Sequence, residues 1–243
     1  MNQWKYDPSA NLSKSISEKL TVFPRERDMT CFIARSFWSI LLRVVLKIYF
    51  RLEIIGKENL PQDKSCVIVS NHSSHLDALC LLSVLPLRSI NRVFAVAAKD
   101  YFFCSFFKSL LAVVCVNALP FDRKKQKKKS LELCADVLDA ADKILVMFPE
   151  GSRSVNGKIN AFKPGLGLLV AGTNRLVVPS YINGGYEAWA KGSHFPKPKK
   201  IIVTIGKPMN FCDMKKSKEN YRIIAKKVED SVRNLNERGQ CLS

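Results

Sequence analysis

The chain has 243 residues, and a hydrophobic content of 47% supports one substantial core. Its 39 Lys and Arg against 21 Asp and Glu give a net charge of +18, which requires an anionic partner or surface. The basic residues carry no nucleic-acid-binding signature, so we exclude nucleic acid and predict an anionic membrane surface as partner. Eight scattered cysteines without a Cys-x2-Cys pair are typical of reduced thiols in a cytosol-facing protein.

Residues 29–50 form the first long apolar segment, and their number matches the ~20 residues that cross a bilayer. Arg35, Arg43 and Lys47 divide the segment, and a charge near mid-helix costs roughly 2.5 to 3.5 kcal/mol on insertion scales. Arg43 and Lys47 lie one helical turn apart, which favours an amphipathic helix in the membrane interface over a spanning helix. A buried helix of the core is a third interpretation.

A buried strand is predicted at Cys66-Val67-Ile68-Val69-Ser70, directly before Asn71-His72-Ser73-Ser74-His75-Leu76-Asp77. On one regular helix His72 and Asp77 would point ~140° apart, so they cannot meet there. They can meet if His72 lies in a turn and a helix begins just after it, with Ser73 or Ser74 as the cap. Asp77 could then accept the proton of one imidazole nitrogen and leave the other as a general base.

This spacing also has plainer interpretations, because a single His-x4-Asp occurs by chance in many chains. His72, His75 and Asp77 could in principle bind a metal, but no further ligand motif accompanies them, so we predict no metal site. His75 is predicted to be structural or solvent-facing. The other motifs of the chain must therefore decide whether His72 and Asp77 are catalytic.

Leu119-Pro120-Phe121-Asp122-Arg123 follows an apolar segment at 113–116 that is predicted as a strand. The lysine run at 124–129 then begins a helix pattern that continues to residue 141. A run of like charges is usually a solvated face, but its position after Arg123 suggests a positive funnel for a phosphorylated lipid.

Phe148-Pro149-Glu150-Gly151-Ser152-Arg153-Ser154 follows another strand pattern at 144–148. Pro and Gly mark a turn, Glu150 can position a polar partner, and Arg153 offers a planar fork suited to phosphate. Val177-Val178-Pro179-Ser180 is predicted as a strand with a proline near its end. A strand at 201–205 and an amphipathic helix at 218–236 complete the pattern.

These four motifs, in this order, resemble those of the glycerolipid acyltransferases, typified by 1-acylglycerol-3-phosphate O-acyltransferase. The resemblance covers more than half of the chain, from Gly56-Lys57-Glu58-Asn59-Leu60-Pro61 to Gly206-Lys207-Pro208. The Asn-His-x4-Asp and Phe-Pro-Glu-Gly-x-Arg-Ser motifs are specific in combination.

The resemblance implies a mechanism in which His72 deprotonates a glycerol hydroxyl and Asp77 orients His72. The hydroxyl oxygen would attack the thioester of acyl-CoA or acyl carrier protein, with no cofactor and no acyl-enzyme. Arg123 and Arg153 would hold the acceptor phosphate, and Glu150 and Gly151 would shape the acceptor site. Lys163, in Phe162-Lys163-Pro164-Gly165, is a further phosphate contact or, equally, a solvated turn lysine.

We therefore predict an α/β fold, a mixed β-sheet flanked by helices with an N-terminal membrane-associated helical segment. Residues 1–50 are predicted as that segment and 51–243 as the catalytic domain, at the cytoplasmic face of a membrane. The predicted acceptor is 1-acylglycerol-3-phosphate, which gives phosphatidic acid. The alternatives are a lysophospholipid with a larger headgroup and a non-catalytic membrane-binding protein that retains the fold.

Overall fold

A computed structural model describes residues 29–62, 64–98, 116–122, 127–139 and 142–240. The helices of these ranges are α1 (Met29–Ile48), α2 (Asp77–Val84), α3 (Lys127–Asp139), α4 (Gly165–Val170), α5 (Gly185–Trp189) and α6 (Lys218–Gln240). The strands are β1 (Glu53–Ile55), β2 (Cys66–Ser70), β3 (Val93–Ala98), β4 (Ala118–Phe121), β5 (Ile144–Met147), β6 (Leu176–Asn183) and β7 (Ile202–Ile205).

The strands form one seven-stranded sheet in the order β1-β7-β6-β2-β5-β3-β4. All neighbouring strands are parallel except β6 and β7, which are antiparallel, so the sheet is mixed as predicted. The central strand β2 is buried at every residue, because helices cover both faces of the sheet. Helices α1 and α2 pack on one face, and α3, α4 and α6 pack on the other.

Helix α1 has one face against the protein and one face exposed. Leu42 and Leu46 are buried in the core that α1 and α2 share. Arg35 and Arg43 also turn toward the protein, where Arg35 donates to Asn91 Oδ1 at 2.9 Å and Arg43 donates to the carbonyl of Leu85. The exposed face is apolar instead of polar, and it carries Ile33, Phe37, Ile40, Leu41, Val44, Val45 and Ile48.

None of the described helices combines the length and apolar character needed to cross a membrane. The charges that were expected to interrupt the apolar stripe of α1 are mostly directed into the protein. Within α1, Lys47 is exposed beside the apolar face, whereas Arg43 is half-buried.

Two sequence expectations need correction. Leu119 lies within β4, so the motif is itself part of a strand, while residues 113–115 of the predicted strand fall outside the described ranges. The predicted helix after the lysine run is described as α3 from Lys127 to Asp139, and its remaining residues, 124–126 and 140–141, lie outside the described ranges. Pro179 lies in the middle of β6 and not near its end. A proline, which lacks an N–H donor, is tolerated there because the pairing of β6 on the β7 side changes at this residue. Before it, Val177 pairs with Met209, and after it the ladder to β7 begins at Ser180.

Candidate active site

The predicted motifs meet because three neighbouring parallel strands end at the same edge of the sheet. Val69 in β2 lies beside Met147 in β5 and beside Pro179 in β6. The chain that leaves β2 therefore enters its turn between the segments that follow β5 and β6. Asn71 fixes this exit, since its side-chain amide donates to the carbonyl of Ile182 at 3.0 Å and accepts the Ile182 N–H at 2.8 Å.

His72 and Asp77 are in direct contact, as their spacing predicts. His72 Nδ1 lies 2.9 Å from Asp77 Oδ2, and Asp77 is fully buried while the His72 side chain is 22% exposed. A carboxylate accepts hydrogen bonds, so this contact favours the imidazole tautomer with its proton on Nδ1. That tautomer leaves Nε2 as the basic nitrogen, on the ring edge away from Asp77.

The serine cap that was predicted for α2 is wrong. The N-cap residue is Leu76, and its side chain makes no capping bond. Asp77 is itself the first helical residue, and its carboxylate turns back so that Oδ2 accepts the N–H groups of Ser73 at 2.7 Å and Ser74 at 2.8 Å. A carboxylate binds backbone donors more strongly than a hydroxyl does, and here it orients the histidine as well.

Asp77 Oδ1, the second oxygen, is buried and has no hydrogen-bond partner among the described residues. Gly185, the first residue of α5, lies against this oxygen, and a methyl group added there would come within 3.0 Å of it. Glycine at this position therefore gives the carboxylate room to keep its orientation toward His72.

The main chain of His72 is held on both sides by the segment that follows β5. Its N–H donates to Glu150 Oε1 at 2.7 Å, and its carbonyl accepts the N–H of Ser154 at 2.7 Å. The imidazole ring stacks on Phe148, with centroids 4.2 Å apart and planes 17° from parallel. Backbone and ring are thus both restrained, which is the arrangement that a positioned general base requires.

Glu150 is buried and connects His72 to Asn160. Its Oε2 accepts the backbone N–H of Asn160 at 3.0 Å and the Asn160 side-chain N–H at 2.9 Å, while Oε1 accepts the backbone N–H of His72. Burial raises the pKa of Glu150, although the hydrogen bonds from Asn160 and His72 oppose that shift. These contacts make Glu150 a positioning residue, and its predicted contact with the acceptor stays a prediction.

The C-terminal helix α6 holds the other end of this network. Glu229 Oε2 accepts the N–H of Phe162 at 2.9 Å, and its Oε1 accepts from Arg233 Nε at 2.9 Å. Arg233 also donates to the carbonyl of Ile159 at 2.9 Å. Burial opposes ionisation of Glu229, but the hydrogen bonds from Phe162, Arg233 and Lys226 outweigh it and lower its pKa. Both ends of segment 159–162, which carries Asn160, are therefore fixed to α6.

The predicted cationic contacts are only partly described. Lys163 lies over Gly151, whose φ of +76° favours glycine, and a Cβ added there would meet Lys163 Nζ, the flexible end of that side chain. The charge of Arg153 is close enough to His75 to reinforce the effect of burial, so that the pKa of His75 is lowered. Arg123 lies outside the described residues. Lys163 and Arg153 thus bring positive charge to the turn that faces His72.

Sequence reasoning missed Asn160, Gly185 and Glu229. His75 was predicted to be structural or solvent-facing, and in the structure it is half-buried with its ring 5.0 Å from that of Trp189. The missed residues have no recognisable signal in the sequence, because each acts on a site residue from a separate segment. Glu229, for example, is 67 positions from its partner Phe162.

Comparison with known proteins agrees with this geometry. The profile of the family described as Acyltransferase matches residues 51–183, which contain all four motifs. The chain belongs to the acyltransferase family. The structure superposes on the crystal structure of the 1-acyl-sn-glycerophosphate acyltransferase PlsC of Thermotoga maritima with a TM-score of 0.66, over 88% of this chain and 84% of that one. The two sequences are 23% identical, so this likeness establishes the fold.

Several curated relatives are named 1-acyl-sn-glycerol-3-phosphate acyltransferases. The chain is 29% identical to the Limnanthes alba protein over 67% of its own length and 56% of the relative's. It is 30% identical to the Pseudomonas aeruginosa protein over 70% of its own length and 63% of the relative's. The chloroplastic protein of Arabidopsis thaliana is also 30% identical, over 70% of this chain and 45% of the relative's length. The chain thus spans about half to two thirds of the length of these relatives.

Replacing Glu150 with Gln tests the positioning of His72 in this member of the acyltransferase family. An amide keeps one oxygen but turns an NH₂ group toward the backbone N–H of either His72 or Asn160, so a buried donor loses its acceptor. We expect a loss of about 1 to 3 kcal/mol in the free energy of unfolding and a fall in kcat larger than the rise in acceptor KM. Asn160→Ala is the control, since it removes one of the three hydrogen bonds; wild-type kcat in Glu150→Gln would contradict the assignment.

Replacing Glu229 with Ala tests whether α6 positions segment 159–162. The N–H of Phe162 and the Arg233 guanidinium lose their acceptor, so we expect acceptor KM to rise while donor KM is kept, with destabilisation of about 1 to 3 kcal/mol. Because the pKa of Glu229 is lowered, its stabilisation is complete above its ordinary value of 4.5 and is lost as the pH falls through the lowered pKa.

The matched control for Glu229→Ala is Asp230→Ala, because Asp230 is the next residue along α6 and forms only a surface ion pair with Lys226. We expect it to change the free energy of unfolding by less than about 1 kcal/mol. Chemical denaturation and steady-state kinetics measure both quantities. A Glu229→Ala enzyme that is less stable but has an unchanged acceptor KM would show that α6 supports the fold alone.

Proposed function

We propose that the chain transfers a fatty acyl group to the free hydroxyl of 1-acylglycerol-3-phosphate, giving phosphatidic acid. The observation that carries this proposal is the contact of His72 Nδ1 with the buried Asp77 carboxylate at the carboxyl edge of the sheet. A protein that only bound lipid would need no oriented base at that edge. The names of the curated relatives support this choice of acceptor.

In this mechanism His72 Nε2 accepts the proton of the glycerol hydroxyl as its oxygen attacks the thioester carbonyl carbon. Asp77 stabilises the imidazolium that forms, and its hydrogen bonds from Ser73 and Ser74 keep it in place. The tetrahedral intermediate then collapses, the carbon–sulfur bond breaks, and the thiolate takes the proton from His72. The donor is acyl-CoA or acyl carrier protein, and the reaction uses no cofactor and no covalent acyl-enzyme.

The acceptor phosphate would be bound by Arg153 and Lys163, with Arg123 as a third contact. Support for the first two comes from the turn at Gly151, which lets Lys163 Nζ lie directly over the backbone, and from the charge of Arg153 near His75. Paired cations suit a phosphate monoester, which carries close to two negative charges near neutral pH. A larger headgroup would present a diester with one negative charge.

The enzyme would work on the surface of an anionic membrane, at its cytoplasmic face. Two features support this proposal: the exposed apolar face of α1 and the net charge of +18. An apolar helix face can enter the interface while basic residues bind lipid headgroups. Both substrates are amphiphiles or carry an acyl chain, so a site near the bilayer would receive them directly.

The test of the proposed function offers purified protein a panel of acceptors with each donor, and products are identified by mass spectrometry. Acylation of 1-acylglycerol-3-phosphate in preference to lysophospholipids with larger headgroups supports the proposal. We expect His72→Ala to lose about 10²-fold to 10⁴-fold in rate, and Asp77→Asn to be impaired as well.

His75→Ala is the matched control, because it removes a histidine from the same turn without removing the base. It should keep most of the rate. Near-wild-type turnover by His72→Ala would rule out the catalytic assignment. Absence of any transfer by the wild-type protein would favour the non-catalytic lipid-binding alternative.

A separate prediction distinguishes phosphate recognition from chemistry. Arg153→Ala should raise acceptor KM by the equivalent of about 1.5 to 3 kcal/mol, because a charge-assisted hydrogen bond to phosphate is lost, and donor KM should change little. Arg153→Lys should restore only part of the affinity. Arg123→Ala should behave in the same way as Arg153→Ala.

Lys158→Ala, an exposed change in the same loop, is the control for Arg153→Ala. Kinetics with 1-acylglycerol-3-phosphate and with neutral monoacylglycerol give the decisive comparison. Equal losses on both acceptors would show that these arginines support the loop and do not bind phosphate.

A further inference from the structure

The loop formed by residues 191–200, between α5 and β7, has the composition of a lipid-contacting surface. Every residue of this loop except Pro196 is exposed. It contains four lysines and no acidic residue, and Phe195 at its centre is 81% exposed. Lys200 is paired with Glu53 at 2.8 Å, which leaves Lys191, Lys197 and Lys199 as the cations that the loop presents to solvent.

Phe195 is exposed although the backbone of the loop on both sides of it is fixed. On one side of it, Trp189 Nε1 donates to the carbonyl of Ser193 at 3.0 Å. On the other side, the N–H of Lys197 donates to the carbonyl of Ala188 at 2.8 Å. These bonds hold the backbone on both sides of Phe195 to α5, so the ring projects outward from a fixed backbone. An exposed phenyl ring forgoes the free energy of its own burial unless a partner covers it.

The 191–200 loop is also fastened to the end of α1. Tyr49 Oη donates to the carbonyl of Pro196 at 3.2 Å, and Arg51 donates to the carbonyl of Pro198 at 3.2 Å. Tyr49 directly follows Ile48, which is 74% exposed and is the last residue of the apolar face of α1. The loop is thus held beside the end of that apolar face, where it adds one exposed aromatic side chain and three lysines to the surface.

We propose that the 191–200 loop is a second contact with the bilayer, in which Phe195 enters the interface and Lys191, Lys197 and Lys199 bind anionic phospholipid headgroups. Aromatic rings favour the interfacial region, and each lysine near an anionic surface strengthens binding roughly fivefold. An acidic protein would match the lysines but not the position of Phe195 in a loop held beside the apolar face of α1. The bilayer matches both. This inference rests on the membrane location in the proposed function.

The position of the loop gives this contact a role in catalysis. The loop begins directly after Trp189, whose carbonyl accepts hydrogen bonds from Ser74 Oγ at 2.9 Å and from the N–H of His75 at 3.2 Å. Ser74 also forms an isolated bridge with Ala190. The turn that carries His72 is therefore attached to the start of the loop. Contact of the loop with lipid would fix the orientation of the His72 turn relative to the bilayer.

The experiment measures partition of the full-length protein onto sedimentable vesicles of phosphatidylcholine alone and of phosphatidylcholine mixed with phosphatidylglycerol. Phe195→Ser should lower partition onto both vesicle types by about tenfold, in low and in high salt, because an apolar contact is lost. The double variant Lys197→Gln/Lys199→Gln should lower partition by up to about 25-fold on anionic vesicles only, and high salt should remove this difference.

The charge-matched control is Lys218→Gln/Lys227→Gln on α6, which packs on the opposite face of the sheet from α1. This control should change partition onto anionic vesicles by less than the double loop variant does in low salt. A Phe195→Trp protein adds a direct measurement, since brominated lipid should quench its added fluorescence. Partition of both loop variants equal to that of the wild-type protein or of the α6 control would overturn the proposal.

Three further outcomes separate this inference from the proposed function. Loss of binding in Phe37→Ser, together with normal binding of the loop variants, would leave α1 as the membrane contact and overturn the role of the loop. A loop variant that binds vesicles normally but is slow only with acyl carrier protein as donor would assign the lysines to the carrier, also against the proposal. Transfer in detergent micelles by a wild-type protein that does not bind vesicles would preserve the chemistry and overturn both membrane contacts.

Discussion

The parallel pairing of β2 with β5 on one side and β6 on the other is the constraint on which the candidate site depends. It brings the ends of three strands to one edge, so that residues far apart in the chain must share a small volume. Asn71 binds the backbone of β6, and the backbone of His72 is bound by Glu150 and Ser154 after β5. A change in register of either ladder would move these partners by a residue spacing, which is larger than a hydrogen bond can tolerate.

Around this edge, the site is supported by successive layers of backbone hydrogen bonds. Glu150 holds His72 and is itself held by Asn160, whose segment is fixed by Glu229 and Arg233. Glu150 and Glu229 each accept hydrogen bonds at both carboxylate oxygens, and these bonds offset the cost of burying the two charges. Asp77 differs, since one of its oxygens accepts two backbone N–H groups and contacts His72 while the other lies against Gly185. All the hydrogen bonds of Asp77 are thus made by one of its two oxygens.

Helix α1 reverses the usual polarity of a surface helix. Its guanidinium groups are directed into the protein, where Arg35 and Arg43 bind oxygens of other segments, and its apolar side chains are exposed. Burying charged groups is tolerable only because they are hydrogen-bonded, and exposing an apolar face is tolerable when another phase covers it. Tyr49 and Arg51, just after this helix, hold the 191–200 loop, so the lysine-bearing loop lies beside the end of the apolar face.

The sequence alone determined the α/β class, the buried strand β2, the α1 helix and the pairing of His72 with Asp77. These features depend on local patterns: apolar periodicity sets strands and helices, and five residues of separation across a turn leave few ways for two side chains to meet. The family resemblance added Glu150 and Arg153 as candidate site residues, because the spacing within a motif survives in sequence, and their contacts with the acceptor stay predictions. The prediction that Ser73 or Ser74 caps α2 was wrong, because only the turn geometry decides that the Asp77 carboxylate accepts the backbone N–H groups of both serines.

Only the tertiary structure decided which distant residues support the site and which way the charges of α1 point. Asn160, Gly185 and Glu229 act through contacts between segments, and such contacts leave no periodicity or spacing to detect. The direction of Arg35 and Arg43 depends on acceptors offered by Asn91 and Leu85, which the helix sequence does not contain. Local patterns follow from the geometry of a short stretch of backbone, whereas partners across the fold follow from packing, which the chain specifies only as a whole.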